Sequence, residues 1–156
     1  MRLEFFHMID RVVALDVAER SVRAVGVVPK SSTIFEGHFP GYPLMPGALL
    51  IECMAQTTGW LVMALDGFTA MPFLAGIKEA KFRAAVFPGD DLEFTGRVVH
   101  EGSGYVIGEG QGSRQGKTIC SARITYRLLA FPSPEFRQAL FARAEQLDVP
   151  VKELAR

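Results

Sequence analysis

The segment from Gly37 to Leu65, GHFPGYPLMPGALLIECMAQTTGWLVMAL, joins a proline-rich loop directly to a long apolar run. Its first part carries a proline at every third position: Pro40, Pro43 and Pro46. Because a proline fixes its own φ and disfavours a helical conformation in the residue before it, residues 38–45 are predicted to be extended or turning. The following helix is therefore predicted to begin no earlier than Pro46, where the missing N–H is one that a helix start leaves unpaired anyway.

The predicted helix carries apolar residues around nearly its whole circumference, a pattern typical of a helix that is buried on all sides. Glu52 is its only charged residue. A lone carboxylate in apolar surroundings is costly to ionise, so we expect Glu52 to have either a structural hydrogen-bond partner or a chemical role. Gln56 lies one turn later on the same face and could orient Glu52.

A membrane span is the alternative for this helix, because a span requires about 20 apolar residues. Four polar side chains interrupt the middle of the run: Glu52, Gln56, Thr57 and Thr58. Polar and ionisable side chains are rare inside membrane spans. The sequence therefore favours the core helix of a globular protein, and we predict no membrane span.

Length and composition limit the remaining possibilities. The chain has 156 residues, enough for one domain with a substantial core. Lys plus Arg equals Asp plus Glu at 17 each, so no overall field would attract nucleic acid. The first residues, MRLEFFHMIDRVV, do not resemble a secretory signal, and Cys53 and Cys120 have neither metal-site nor disulfide spacing. We therefore expect a cytoplasmic protein without a nucleic-acid partner.

Apolar and β-branched patterns predict an antiparallel sheet. Residues 12–28 read as a hairpin, and residues 76–86 alternate imperfectly, as a bulged strand would. Three longer β runs predict a meander: Leu92–His100, Tyr105–Gln111 and Lys117–Leu129. The middle run contains or adjoins glycines that predict strong curvature or a close backbone approach: Gly108, Gly110 and Gly112. One apolar helix and a curved sheet predict an α+β fold in which the sheet wraps around one long central helix.

The connections and chain ends are less regular in sequence. Residues 5–13 predict a short helix that leads into the first strand, and residues 31–36 predict a plain connection to the proline-rich loop. Ser133 and Pro134 predict a helix start, and apolar residues then fall on one face: Phe136, Leu140, Phe141, Ala144 and Leu147. We expect residues 1–130 to form the main domain and residues 131–156 to form an amphipathic helix and tail packed on it. Docking of a partner enzyme is the alternative role for that helix.

The motif His38-Phe39-Pro40, Pro43, Pro46-Gly47, Glu52 and Gln56 resembles the signature of bacterial β-hydroxyacyl-acyl carrier protein dehydratases of the hotdog fold. Segments within residues 73–90 and 8–12 resemble the same family. The resemblance implies dehydration of (3R)-3-hydroxyacyl-[acyl carrier protein] to the trans-2-enoyl product in fatty acid or lipid biosynthesis, without a cofactor. It also implies an acyl carrier protein as partner and a homodimer or a multiple of dimers. With glutamate at position 52, the chain resembles the glutamate-type members of the family, which typically stop at the trans-2 product.

The residues suit this chemistry. Dehydration requires a base, an acid and a group that stabilises charge on the thioester carbonyl oxygen. His38 is a suitable base because histidine has a neutral form near pH 7. Burial should raise the pKa of Glu52 and make it the acid, and the N–H of Gly47 at the helix start is the candidate oxyanion donor. The resemblance assigns these same roles, with Gln56 as a supporting residue that orients the acid.

Other readings of these residues remain. Taken alone, His38 would be an ordinary loop histidine and Glu52 a structural acid. A hotdog acyl thioesterase is the alternative enzyme, and an acyl-binding subunit without activity is the alternative outside catalysis. The histidines are too scattered for a metal site: His7, His38 and His100. The densest basic cluster is either a docking surface for an acidic carrier protein or a solvated strand face: Lys78, Lys81 and Arg83.

Overall fold

The structure, a computed structural model, describes residues 1–155 and contains one antiparallel sheet of six strands in the order β1-β2-β4-β5-β6-β3. The strands are β1 (Arg11–Asp16), β2 (Ser21–Val27), β3 (Met71–Phe82), β4 (Asp91–Gly102), β5 (Tyr105–Arg114) and β6 (Lys117–Leu129). The helices are α1 (Thr33–Gly37), α2 (Gly47–Leu65), α3 (Pro134–Gln146) and α4 (Val151–Leu154). The predicted hairpin is β1–β2 and the predicted meander is β4–β5–β6, and both are confirmed.

The central helix α2 begins at Gly47, directly after Pro46, as the proline spacing predicts. Its residues from position 57 to 64 are all buried, whereas Glu52 and Gln56 nearer its start are half-buried. The helix is long and apolar enough to cross a membrane, but 67% of its apolar window is buried inside the fold. That burial is what the core helix of a globular protein requires.

Glycines allow the sheet to approach α2 closely. A Cβ atom on Gly108 would lie 2.6 Å from Cγ2 of Thr58, and one on Gly110 would lie 2.8 Å from Cβ of Met54. On the neighbouring strand β4, a Cβ atom on Gly96 would lie 2.5 Å from Oγ1 of Thr58 and 3.1 Å from its Cα. Protein interiors are too closely packed to absorb such overlaps without movement. The close approach predicted for the middle strand of the meander is therefore confirmed.

Strand β3 lies nearer the N-terminus than the sequence pattern predicts. The prediction covered residues 76–86, but the strand spans Met71–Phe82, with two bulges against β6. Pro72 is tolerated inside it because β3 is an edge strand with one unpaired side. The chain then leaves the sheet, and the carbonyl of Val86 accepts a hydrogen bond from the N–H of Met45 in the proline-rich loop.

Two short elements also differ from the prediction. The helix predicted over residues 5–13 is absent: only Phe5 is helical, as the last residue of a 3-10 turn over Leu3–Phe5. Asp10 accepts a hydrogen bond from the N–H of Val27, which keeps the following segment extended beside β2. The connection over residues 31–36 contains the short helix α1, which Ser32 caps by accepting a hydrogen bond from Ile34 N–H.

The C-terminal segment packs on the rest of the chain. Ser133 caps α3 through Phe136 N–H, as predicted from the sequence. Ala144 and Leu147 are buried, and the ring of Phe141 packs edge-on against Phe68 at 5.6 Å between centroids. The short helix α4 was not predicted, and its first residue is buried in the same core.

Candidate active site

His38 lies in the loop between α1 and α2, where the chain folds back on itself. Its Nδ1 lies 3.0 Å from the carbonyl oxygen of Leu44, and its own carbonyl accepts a hydrogen bond from the Leu44 N–H at 2.9 Å. Because a carbonyl oxygen can only accept, Nδ1 must carry the proton. In neutral His38 the other nitrogen, Nε2, is then unprotonated and able to accept a proton.

Glu52 and Gln56 are joined on the face of α2. Nε2 of Gln56 donates a hydrogen bond to Oε1 of Glu52 at 3.0 Å, as their spacing of four residues predicts. The same Nε2 donates to the carbonyl of Phe6 at 2.8 Å, and Oε1 of Gln56 accepts from the N–H of Met8 at 3.3 Å. The N-terminal segment therefore fixes the orientation of the amide that holds Glu52.

Gly47 begins α2, and its N–H has no hydrogen-bond acceptor within residues 1–155. The first hydrogen bonds of the helix are donated by the N–H groups of Leu49 and Leu50, both to the carbonyl of Pro46. A Cβ atom at position 47 would lie 3.2 Å from the ring of Phe82, so the helix start fits closely against that half-exposed ring. A free N–H at the positive end of a helix dipole can stabilise an anion.

A cavity of about 350 Å³ lies beside Glu52 and Gln56. One wall is the face of α2 that continues through Gly59, Trp60 and Met63. The other walls come from β3, from Tyr126 on β6, from the N-terminal residues Phe6 and His7, and from α3. The cavity is mostly apolar, so it suits an acyl chain better than a polar ligand.

The structure brings together only some of the predicted site residues within one chain. Glu52 and Gln56 line this cavity, but His38 and Gly47 do not. The histidine that does line it is His7, whose pKa is lowered by burial and by the nearby charge of Arg143. Glu52 is half-buried rather than enclosed, so the complete burial assumed from the sequence is not met in a single chain.

Several residues of this site carry no signal in the sequence. The backbone groups of Phe6 and Met8, the ring of Phe82 and the α3 wall are all brought in by contacts distant in sequence. No local motif indicates such contacts. The content of twelve phenylalanines indicates apolar surface that could meet a fatty ligand or a second copy, but it does not locate that surface.

The two cysteines are poorly suited to act as nucleophiles, and no metal-binding cluster is found among the described residues. Cys53 and Cys120 are fully buried, and burial raises the pKa of both thiols, that of Cys120 to about 11. A thiol with a raised pKa is a poor nucleophile because little thiolate forms at neutral pH. Across the part of the chain that the structure describes, no cluster of three or more His, Cys, Asp or Glu side chains could hold a metal ion.

Comparison with known proteins identifies relatives. A family model described as "FabA-like domain" matches residues 2–123. A protein of Clostridium beijerinckii named 3-hydroxyacyl-[acyl-carrier-protein] dehydratase FabZ is 35% identical over 123 residues, which cover 78% of this chain and 87% of that protein. A protein of the same name from Shewanella sp. (strain MR-4) is 37% identical over 124 residues, which cover 76% of this chain and 80% of the relative.

Solved structures confirm the architecture. A hypothetical thioesterase of Streptococcus pneumoniae TIGR4, crystallised with coenzyme A, superposes with a TM-score of 0.62 at 19% identity, covering 79% of this chain and 90% of that one. The conserved protein PA5202 of Pseudomonas aeruginosa superposes with a TM-score of 0.61 at 21% identity, covering 76% and 87%. At such identities the likeness concerns the fold alone, and the predicted hotdog fold is confirmed.

Proposed function

This chain belongs to the FabA-like family, and on that premise we propose that it is a 3-hydroxyacyl-[acyl carrier protein] dehydratase. It converts (3R)-3-hydroxyacyl-[acyl carrier protein] to trans-2-enoyl-[acyl carrier protein] in fatty acid or lipid biosynthesis, and the reaction needs no cofactor. The observation that carries the proposal is a carboxyl group held by Gln56 at the wall of an apolar cavity. Relatives at 35% and 37% identity are named for this activity.

In the proposed reaction, Nε2 of neutral His38 removes the proton from the carbon next to the thioester carbonyl. The electron pair of that C–H bond forms the new double bond as the bond between C3 and its hydroxyl breaks. Glu52 donates its proton to the departing hydroxyl, which leaves as water. His38 is then protonated and Glu52 ionised, and return of the proton restores both groups for the next turnover.

Gly47 stabilises the charge that grows on the carbonyl oxygen while the proton is removed. Its N–H is unpaired within residues 1–155 and lies at the positive end of α2. The absence of a side chain lets the carbonyl approach this N–H closely. Gln56 does not touch the reacting atoms in this proposal, and it keeps the Glu52 carboxyl facing the cavity.

We infer that the site is completed by a second copy of the chain. Two observations support this inference: His38 does not line the cavity of Glu52, and no residue of the edge strand β3 is buried. The exposed side chains of β3 include Phe73, Leu74 and Phe82. An unpaired apolar edge is normally covered in a native protein. A dimer, or a multiple of dimers, would place His38 of one chain beside Glu52 of the other.

The test uses one 3-hydroxyacyl-[acyl carrier protein] and follows two products by mass spectrometry. Dehydration gives an enoyl chain that is still bound to the carrier and is about 18 mass units lighter, because one water is lost. We expect this product to form at a turnover rate in the range typical of enzymes. Release of free carrier thiol with a hydroxy acid would instead establish the alternative, a hotdog thioesterase. Tight binding of the 3-hydroxyacyl-[acyl carrier protein] with formation of neither product would support the other alternative, an acyl-binding subunit without activity. A large cis-3-enoyl fraction after long incubation would contradict the glutamate-type assignment.

We also propose the domain organisation, the partner and the location of the enzyme. Residues 1–130 form the catalytic domain, and the segment predicted over residues 131–156 packs on it as a helix and tail, with Arg156 lying outside the residues that the structure describes. The acyl carrier protein delivers the substrate, and the enzyme acts in the cytoplasm. Support for that location comes from two fully buried, unpaired cysteines, Cys53 and Cys120, which suit a reducing compartment.

A further inference from the structure

One wall of the Glu52 cavity is built by α3. Leu140, Arg143 and Leu147 from this C-terminal segment line the cavity opposite the apolar face of α2. The family model ends at residue 123, so this wall lies outside the part of the chain that matches it. The residues that perform the proposed reaction all precede that limit. The space that α3 leaves in the cavity can therefore vary without changing the residues that perform the proposed dehydration.

The α3 wall is fastened at both ends. Near its start, Arg137 donates two hydrogen bonds to the carbonyl of Phe68, at 3.3 and 3.4 Å. Near its end, Arg143 donates to the carbonyl of Ile9 at 3.4 Å, and the carbonyl of Leu147 accepts from the N–H of Val12 at 2.8 Å. The helix is therefore a fixed boundary of the cavity rather than a loosely attached tail.

The fastened wall limits the space beyond the acid. From Glu52 to Met63 the cavity follows α2 over about 16 Å of helix rise. Its volume of about 350 Å³ is near the lower end of the roughly 300–1,000 Å³ found for small-molecule pockets. Met63 and the α3 residues line the same cavity, so an acyl chain that extends from the reacting carbons along α2 would contact both. The half-buried side chain of Leu140 lies in that wall.

We propose that α3 sets the acyl chain length that this enzyme accepts, and that Leu140 is the specificity-determining residue. The proposal rests on the proposed dehydratase function and names its substrate class: 3-hydroxyacyl chains of short to medium length. A larger side chain at position 140 fills the cavity and excludes the longer chains. A smaller side chain opens it and admits chains that the wild-type protein turns over slowly.

The experiment measures kcat/KM over a series of 3-hydroxyacyl-[acyl carrier protein] substrates of increasing length. Leu140→Trp should move the preferred length downward and Leu140→Ala should move it upward. In each case the ratio of long-chain to short-chain kcat/KM should change by about tenfold or more, the discrimination that a methylene commonly gives in an apolar pocket. Gln138→Trp and Gln138→Ala are the matched controls, because Gln138 is exposed on the same helix. Both controls should keep the wild-type profile.

The outcomes separate the inference from the function on which it rests. If the wild-type protein forms enoyl product and both Leu140 variants keep its length profile, the α3 inference is overturned and the dehydratase function stands. If the wild-type protein forms enoyl product from no chain length, both are overturned. Loss of stability cannot imitate the expected result, because it would lower the rate for every substrate, whereas the two variants should shift the profile in opposite directions.

Discussion

At the scale of single residues, Gln56 links the proposed acid to the N-terminal segment. Both of its amide hydrogens are used, one for Glu52 and one for the Phe6 carbonyl, and its oxygen accepts from Met8. This network fixes which end of the amide faces Glu52. Within residues 1–155 no hydrogen bond is made to Oε2 of Glu52, the oxygen that the proposed reaction turns toward the substrate. The hydrogen bond between Glu52 and Gln56, four residues apart, is thus oriented by a segment about fifty residues away in the sequence.

We expect His38→Ala and Glu52→Gln each to lower turnover by about a hundredfold or more while the protein stays folded, since each removes one positioned acid or base. Steady-state rates of enoyl formation measure the loss, and circular dichroism checks the fold. His7→Ala is the control, because His7 is the histidine that shares the Glu52 cavity within one chain. It should stay within about tenfold of wild type. A folded His38→Ala protein with normal turnover, beside an inactive His7→Ala protein, would transfer the role of base to His7.

The sequence predicts this site only where its contacts are local. The positions of Glu52 and Gln56 on one helix face follow from helix periodicity, and their hydrogen bond is observed. The hydrogen bond of His38 to the Leu44 carbonyl, which sets the tautomer, depends on the path of a loop with three prolines. No periodic pattern describes such a path, so the direction of the free nitrogen could not be predicted.

At the scale of elements, the helix and sheet meet along glycines. We expect Gly96→Ala to lower the free energy of unfolding by about 1–3 kcal/mol, because the new methyl group would overlap Thr58, including its backbone Cα at 3.1 Å. Gly37→Ala is the control, since a Cβ there would meet nothing within 4 Å, and it should change stability by less than about 0.5 kcal/mol. Urea unfolding at one fixed protein concentration compares the two. Equal stability of both variants would mean that α2 can move away from β4 at little cost.

Elements with a strong repeating pattern are predicted well, and elements set by their neighbours are not. The apolar circumference of α2 and the alternation of β4, β5 and β6 follow from the sequence because each buries a regular set of side chains. Strand β3 was misplaced because it lies at an edge and buries no residue, so its sequence carries no clear alternation. The five-residue helix α1 depends on one cap, Ser32, and is too short for a periodic signal.

At the scale of the whole molecule, the chain has no net charge, so any attraction for an acidic carrier must be local. Lys78 and Lys81 are exposed on β3, and neither forms a salt bridge within residues 1–155. Arg83 is exposed as well and donates to Oγ of Ser121 at 3.0 Å. These three residues place positive charge on β3 and just after it, at the edge that is also inferred to meet a second copy of the chain. A test of carrier docking at this cluster must therefore keep the oligomeric state unchanged.

In a Lys78→Glu with Lys81→Glu double variant that keeps the wild-type oligomeric state by size-exclusion chromatography, we expect KM for the acyl carrier protein substrate to rise about tenfold at low salt, with kcat unchanged. The increase should shrink as salt is added, because exposed charges are screened. Lys117→Glu, at an exposed position in the β5–β6 hairpin, is the control and should leave KM unchanged. An unchanged KM and salt dependence in the double variant would show that this cluster is only a solvated strand face.

Each site of the working enzyme contains residues of one chain or of two, and the sequence alone leaves this open because the chain from His38 to Gly47, nine positions further on, could bring His38 and Glu52 together within one chain. In the structure, the cavity of Glu52 lacks His38 and the edge strand β3 is uncovered. If two chains share each site, a heterodimer of His38→Ala with Glu52→Gln has one site with both lesions and one intact site. Unfolding and refolding the two inactive variants together should then restore roughly a quarter of wild-type activity, by the symmetry of a two-fold dimer. Differently tagged chains confirm the exchange, and each variant refolded alone is the control. Confirmed heterodimers without activity would place each site within one chain.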